Sequence, residues 1–221
     1  MRLFVLNGSP RGRSSNTRVI LDALIEGYVA VSDHEIVSLD LMLERGMDVL
    51  IRSTAASDLI MIGFPLYVDS MPGIVKEYLE HLYEKRDSIK GKRMAFLIHS
   101  GFPEAVHSRA VERYCRKFCV RCNCEYVGAI VKGGSEGIRL LSQETRSELL
   151  PKLRELGKHL ALYGELSGEI LEELATPERF EGTALEAVKS YVGDGTKHPY
   201  WDRILKNNSA YDERFSRPLT D

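Results

Sequence analysis

The sequence predicts a doubly wound α/β domain, on three observations. Five apolar runs, at residues 2–6, 35–39, 58–63, 93–99 and 125–131, have the length of strands. Some of these runs are almost unbroken, such as Leu59-Ile60-Met61-Ile62 and Met94-Ala95-Phe96-Leu97-Ile98. Unbroken apolarity means that both faces are covered, as in a parallel sheet sandwiched between helices. Helical spacing fills the intervals, at 17–30, 47–56, 72–84, 105–121 and 143–163, and strict alternation of strand and helix is the pattern of a doubly wound sheet. A ligand of such a sheet is expected at the carboxyl ends of the strands.

The first run stops at Asn7-Gly8-Ser9-Pro10, and an apolar stripe at helical spacing starts with Val19, Ile20, Ala23 and Leu24. Between them lies a loop rich in hydroxyls, glycine and arginine. Helix N-termini present free N–H groups and the positive end of a dipole, so the order strand, loop, helix builds an anion seat. Ser9, Ser14, Ser15, Asn16 and Thr17 add side-chain donors, and Arg11 and Arg13 add cations. The loop lacks both G-x-x-x-x-G-K-[ST] and G-x-G-x-x-G, which argues against a P-loop nucleotide and a dinucleotide. A terminal monophosphate with three oxygens suits it, and FMN is the common cofactor of that shape. The alternative is an ordinary turn in which Ser15 or Asn16 caps the helix.

The loop after the third strand, Gly63 to Gly73, is apolar and aromatic where a surface connection is usually polar. Leu66, Tyr67 and Val68 could lie against a flat ring, with their N–H groups at its polar edge; burial by the tail or by another subunit is the alternative. Ser70 or Asp69 can cap the helix that follows, and Pro72 suits its first turn. The fourth strand ends at His99-Ser100-Gly101-Phe102-Pro103-Glu104. Ser100 and Gly101 allow close backbone approach and Phe102 can stack. His99, at the end of an apolar strand, is expected to be a hydrogen-bonded structural histidine rather than a general acid.

Four cysteines, Cys115, Cys119, Cys122 and Cys124, crowd into one short stretch. Only Cys119 and Cys122 have the C-x2-C spacing usual for zinc or iron–sulfur sites. Cys115 and Cys119 share a helical stripe with Val111 and Phe118, so buried thiols are expected and metal is not, with a metal or redox role as the alternative. Pro151 should kink or restart the last helical pattern.

The composition closes off several classes. The chain has 221 residues with a net charge of −2, so there is no electrostatic case for nucleic acid or an acidic membrane. No segment is apolar for long enough to span a membrane, and the short N-terminal run is not expected to be a signal peptide. The expected location is the cytoplasm. After residue 164 the pattern loosens, giving an expected division into a domain at 1–164 and an extension at 165–221. The extension carries Tyr191, Tyr200, Trp201, Tyr211 and Phe215, too many aromatics for a plain disordered tail. It is expected to help form a subunit interface or to cover the ligand.

The stretches LNGSPRGRSSNT, GFPLYVDSMPGIVKEYLE and HSGFPE resemble the three FMN-binding loops of the flavodoxin-like NAD(P)H-dependent FMN reductases and quinone reductases, and the likeness covers roughly residues 1–163. The resemblance implies a flavodoxin-like five-stranded parallel sheet in the order 2-1-3-4-5. It places phosphate contacts on Ser9, Arg11, Ser14, Asn16 and Thr17. It places ring contacts on Pro65, Leu66, Tyr67 and Val68, with Ser100, Gly101 and Phe102 on the far side. It implies FMN as cofactor, NAD(P)H as co-substrate, a small-molecule electron acceptor such as a quinone or flavin, and a homodimer or higher oligomer. The iron–sulfur branch of the family carries a cysteine motif between the second and third strands; residues 41–57 hold no cysteine, so no cluster is expected. Flavin chemistry requires no side-chain acid or base, and no catalytic residue is assigned. A one-electron carrier of the flavodoxin type, or a flavodoxin-like interaction scaffold, is the alternative function.

Overall fold

The computed structural model describes residues 1–44, 46–135, 138, 143–192 and 199–216. The strands are β1 (Arg2–Asn7), β2 (Glu35–Asp40), β3 (Leu59–Pro65), β4 (Arg93–His99) and β5 (Glu125–Lys132). The helices are α1 (Asn16–Val29), α2 (Met47–Ala55), α3 (Gly73–Glu84), α4 (Arg109–Arg121), α5 (Gln143–Tyr163), α6 (Gly168–Leu174), α7 (Gly182–Val192) and α8 (Pro199–Asn207). The strands form one sheet in the order β2-β1-β3-β4-β5, and every pairing is parallel. The sheet order is the one the resemblance implies.

Strand residues alternate between two cores. Phe4, Leu6, Ile60, Ile62, Phe64, Met94, Phe96 and Ile98 face α2, α3 and α4, where Leu50, Tyr78, Leu79, Val111 and Phe118 meet them. Leu3, Val5, Leu59, Met61, Ala95 and Leu97 face α1 and α5, where Ile20, Leu21, Leu24, Leu153, Leu156 and Leu160 meet them. Helices therefore cover both sides of the sheet. On the second side α1 and α5 approach so closely that glycine is required. A Cβ on Gly27 would lie 1.8 Å from the Arg154 carbonyl oxygen, and one on Gly157 2.0 Å from that of Leu24.

Some boundaries differ from the sequence reading. α5 continues through Pro151 and does not restart there. An internal proline costs a helix about 3 kcal/mol, and the leucines that α5 buries on either side of it, Leu149 and Leu153, offset that cost. The expected helix at 105–121 begins as a 3-10 turn, Ala105–Ser108, before α4. Pro72 occupies the N-cap position of α3, with no side-chain cap from Ser70 or Asp69.

The chain separates into two compact units, Met1–Arg179 and Phe180–Asp221. This boundary lies beyond residue 164, because Leu166 and Leu174 join the α1–α5 core. Arg109 also holds Glu178 with a bidentate pair, its Nη2 2.6 Å from Oε2 and its Nε 3.2 Å from Oε1. In the second unit α7 and α8 are followed by a turn in which the Arg214 guanidinium lies 3.8 Å from the centre of the Tyr211 ring. Trp201 and Phe215 are exposed; the side chains of Tyr191 and Tyr200 lie outside the described residues. Among the described residues no helix is long and apolar enough to cross a membrane.

Candidate functional site

Every strand ends on a residue that breaks the apolar run: Asn7, Asp40, Pro65, His99 and Lys132. Asn7 roots the first loop. Its Nδ2 donates to Asp40 Oδ1 at 2.6 Å and to the Gly12 carbonyl at 2.9 Å, and lies 3.2 Å from Ser15 Oγ. Its Oδ1 accepts from the Ser9 N–H at 3.1 Å. The Asp40 carboxylate, itself buried, faces the exposed Arg13 guanidinium at 3.7 Å. One fully buried amide thus fixes the loop at both ends and ties it to β2. Asn7, Asp40 and Ser135 were not singled out in the sequence; a polar residue closing each apolar run is the signal that marks two of them.

The loop residues divide by direction. Arg11, Arg13 and Ser14 are exposed, whereas Ser9 is buried and its Oγ accepts from the Arg11 N–H at 3.3 Å. Ser15 caps α1, its Oγ accepting from the Arg18 N–H at 3.1 Å. Asn16 and Thr17 face inward. Asn16 Nδ2 donates to the Ser135 carbonyl at 3.1 Å, and Thr17 Oγ1 lies 2.7 Å from His99 Nε2 with no exposure to solvent. The loop is a capped strand-to-helix turn whose outer rim carries two arginines and a serine.

The second loop is built differently. Pro65 and Leu66 are buried, Pro65 as the last residue of β3, paired with His99. The Leu66 N–H donates to the His99 carbonyl at 2.7 Å. Tyr67 and Ser70 exchange backbone hydrogen bonds at 2.8 and 3.0 Å around Val68 and Asp69, whose φ values are 49° and 57°. Two positive φ angles are the signature of a type I′ turn, ordinarily made by Asn or Gly. A β-branched residue there is strained, by about 1–2 kcal/mol. Val68 is 97% exposed and Tyr67 44%. Of the three N–H groups expected to reach a ring edge, those of Leu66 and Tyr67 are therefore spent within the protein.

The third loop follows β4. Ser100 is buried, its Oγ donating to the Phe102 carbonyl at 2.8 Å, while Gly101 is exposed and Phe102 is 56% exposed. His107 stacks on Phe102 with ring centres 4.6 Å apart. Its Nδ1 lies 3.3 Å from Asp69 Oδ1, so the histidine links the second and third loops.

His99 is buried and hydrogen-bonded, as its position at a strand end predicted. Burial pushes its imidazole down to about 4, so it is neutral at pH 7. The cysteines lie far from these loops, on the α4 side of the core. Cys115, Cys119 and Cys122 are buried, Cys124 partly so. Burial raises all four thiols, Cys124 to about 11.

Comparison with known proteins agrees with this architecture. No curated protein matches the chain. Among solved structures, an NADH:FMN oxidoreductase in its apo form is 18% identical with a TM-score of 0.57, over 80% of this chain and 96% of that one. An NADPH-quinone reductase from P. pentosaceus is 16% identical with a TM-score of 0.56, over 70% of this chain and 96% of that one. An NAD(P)H:quinone oxidoreductase from Methanothermobacter marburgensis is 15% identical with a TM-score of 0.57, over 72% and 96%. At these identities the likeness establishes the fold. A family model described as flavodoxin-like fold matches residues 1–159, and the chain belongs to that family.

Proposed function

We propose that the chain is an FMN-dependent oxidoreductase that passes electrons from NAD(P)H to a small acceptor such as a quinone or a flavin. The observation that carries this reading is the pairing of a polar, cationic rim with an exposed apolar lip at the same strand ends. Arg11, Arg13 and Ser14 stand on the rim, and Tyr67, Val68 and Phe102 stand on the loops beside it. A molecule with a terminal phosphate and a flat ring suits both.

The donor set fits FMN. Ser9, Arg11 and Ser14 would receive the phosphate. Asn16 and Thr17 would contribute main-chain N–H groups at the start of α1, since their side chains face His99 and Ser135. Pro65, Leu66, Tyr67 and Val68 would line one side of the ring, and Ser100, Gly101 and Phe102 the other. The bound flavin supplies the redox chemistry. The protein's part is to hold the ring, leave one face open to a nicotinamide and exclude water. No side chain is assigned as acid or base, and no metal is invoked.

The proposal includes a cytoplasmic homodimer or larger homo-oligomer in which residues 165–221 help form the interface or cover the flavin. Exposed apolar side chains on the lip support it, as patches of this kind usually meet a partner. Light scattering on the full chain tests the oligomer; a monomer overturns that part. The cofactor is tested by reconstituting the protein with FMN, releasing it by heat and identifying it by mass. Recovery of FMN supports the reading, and failure to retain any flavin overturns it. Retention of FMN without oxidation of NADH or NADPH would favour the one-electron carrier.

A further inference from the structure

His99 touches every loop of the crevice. Its carbonyl accepts from the Leu66 N–H of the second loop at 2.7 Å, and its Nε2 lies 2.7 Å from Thr17 Oγ1 at the start of α1. Its Nδ1 lies 2.8 Å from Ser135 Oγ beyond β5, and Ser100 of the third loop is its neighbour in the chain. Such a hub has a direction, which its hydrogen-bond donors and acceptors set. Ser135 Oγ lies 3.0 Å from the Ser100 carbonyl, which can only accept, so the serine proton points there. Ser135 Oγ must then accept from His99, which places the imidazole proton on Nδ1. Nε2 is left as an acceptor, and Thr17 must donate to it. Burial keeps the ring neutral, which one donor and one acceptor require.

We propose that His99 is a positioning residue, whose Nδ1–H tautomer directs a one-way hydrogen-bond chain from Thr17 through His99 and Ser135 to the Ser100 carbonyl. The chain locks the first turn of α1 to the ends of β4 and β5, so the seat and the ring wall keep one spacing. It also commits the Thr17 hydroxyl proton inward. A phosphate on the seat therefore receives nothing from Thr17 Oγ1, and the side-chain donors are Ser9, Ser14 and the arginines.

The consequence for the ligand rests on the FMN reading; the tautomer does not, and two experiments separate them. Long-range proton–nitrogen NMR spectra of the labelled full chain at pH 7, with His99→Gln to assign the ring, report which nitrogen is protonated. The proposal expects a protonated Nδ1 and a bare Nε2. A proton on Nε2, or on both nitrogens, overturns it whether or not FMN binds. FMN titration followed by fluorescence quenching then compares the wild type with Thr17→Val, Thr17→Ser and Ser135→Ala. Thr17→Val and Ser135→Ala each lose about tenfold in affinity, and Thr17→Ser stays within about twofold, because the serine hydroxyl restores the donor. A folded Thr17→Val protein that binds FMN like the wild type overturns the positioning role. If Thr17→Val does not fold, a Thr17→Ser protein that loses as much affinity as Ser135→Ala overturns it instead. A wild type that binds no FMN removes the ligand reading and leaves the NMR result to judge the relay.

Discussion

The two sides of the crevice are built by opposite rules. On the seat side, buried polar side chains exchange hydrogen bonds until almost nothing inward-facing is left over: Asn7 with Asp40, Gly12, Ser15 and Ser9, and Thr17 with His99. On the lip side, apolar side chains face water and the backbone is strained, at Val68 with φ 49°. A network satisfied in the free protein is rigid before any ligand arrives, whereas exposed apolar surface and strain are features that a ligand or partner can relieve. The contrast teaches that the seat is pre-organised; on the proposed reading, the lip is the side that a ligand completes.

The largest effect should come from the root of the seat. Asn7→Ala strips the buried Ser9 N–H of its partner and takes one hydrogen bond each from the Asp40 carboxylate, which keeps Arg13, and from the Gly12 carbonyl, which keeps the Ser15 N–H. It should cost about 4 kcal/mol in urea denaturation, from one unsatisfied buried donor together with a charge-assisted and a neutral hydrogen bond lost. A loss below about 1 kcal/mol would mean that the loop re-satisfies itself and is not rigid.

Next is the pH dependence that His99 imposes. Its folded value, about 4, lies below the 6.5 of an unfolded histidine, so the unfolded chain binds the extra proton first. Stability from this source is complete above about pH 6.5 and falls toward pH 4, with a slope approaching 1.4 kcal/mol per pH unit and a total of about 3 kcal/mol. His99→Gln should flatten that part of the profile; an unchanged slope would assign it to other groups.

Much of this architecture could be read in the sequence, and the reasons are local. β3 and β4 are apolar on both faces, so their runs stand out, and the switch from strand to helical spacing marks α1. The seat's hydroxyls and arginines and the lip's aromatics are visible as composition. What could not be read depends on contacts distant in the chain. Nothing local says that Thr17 and Asn16 turn toward His99 and Ser135, more than eighty residues away. Periodicity also carries no sign of the Val68 turn, because a valine is the residue that turn chemistry would exclude. Pro151 misleads for the same reason in reverse: its local penalty is real, and leucine packing overrides it.

Smaller effects sharpen the comparison. Ser9→Ala should weaken FMN binding by about 2 kcal/mol, the range for a hydrogen bond to a charged group, with the fold retained. Unchanged affinity by titration would take Ser9 out of the seat. On the lip, Val68→Asn should raise stability by about 1 kcal/mol, since asparagine tolerates positive φ. A thermal midpoint that stays the same or falls would show that the turn is not strained. The same variant should bind FMN more weakly through the lost apolar contact, which separates strain from ring contact.

The central claim is that the pre-organised seat and the exposed lip together hold a flavin that NAD(P)H can reduce. The most direct test is to load the protein with FMN, remove oxygen and add NADH or NADPH while following the flavin's visible absorption. The account predicts bleaching by at least one nicotinamide at a rate well above that of free FMN, and recovery of colour when a quinone is added. FMN that binds but keeps its full absorption with both nicotinamides would contradict it.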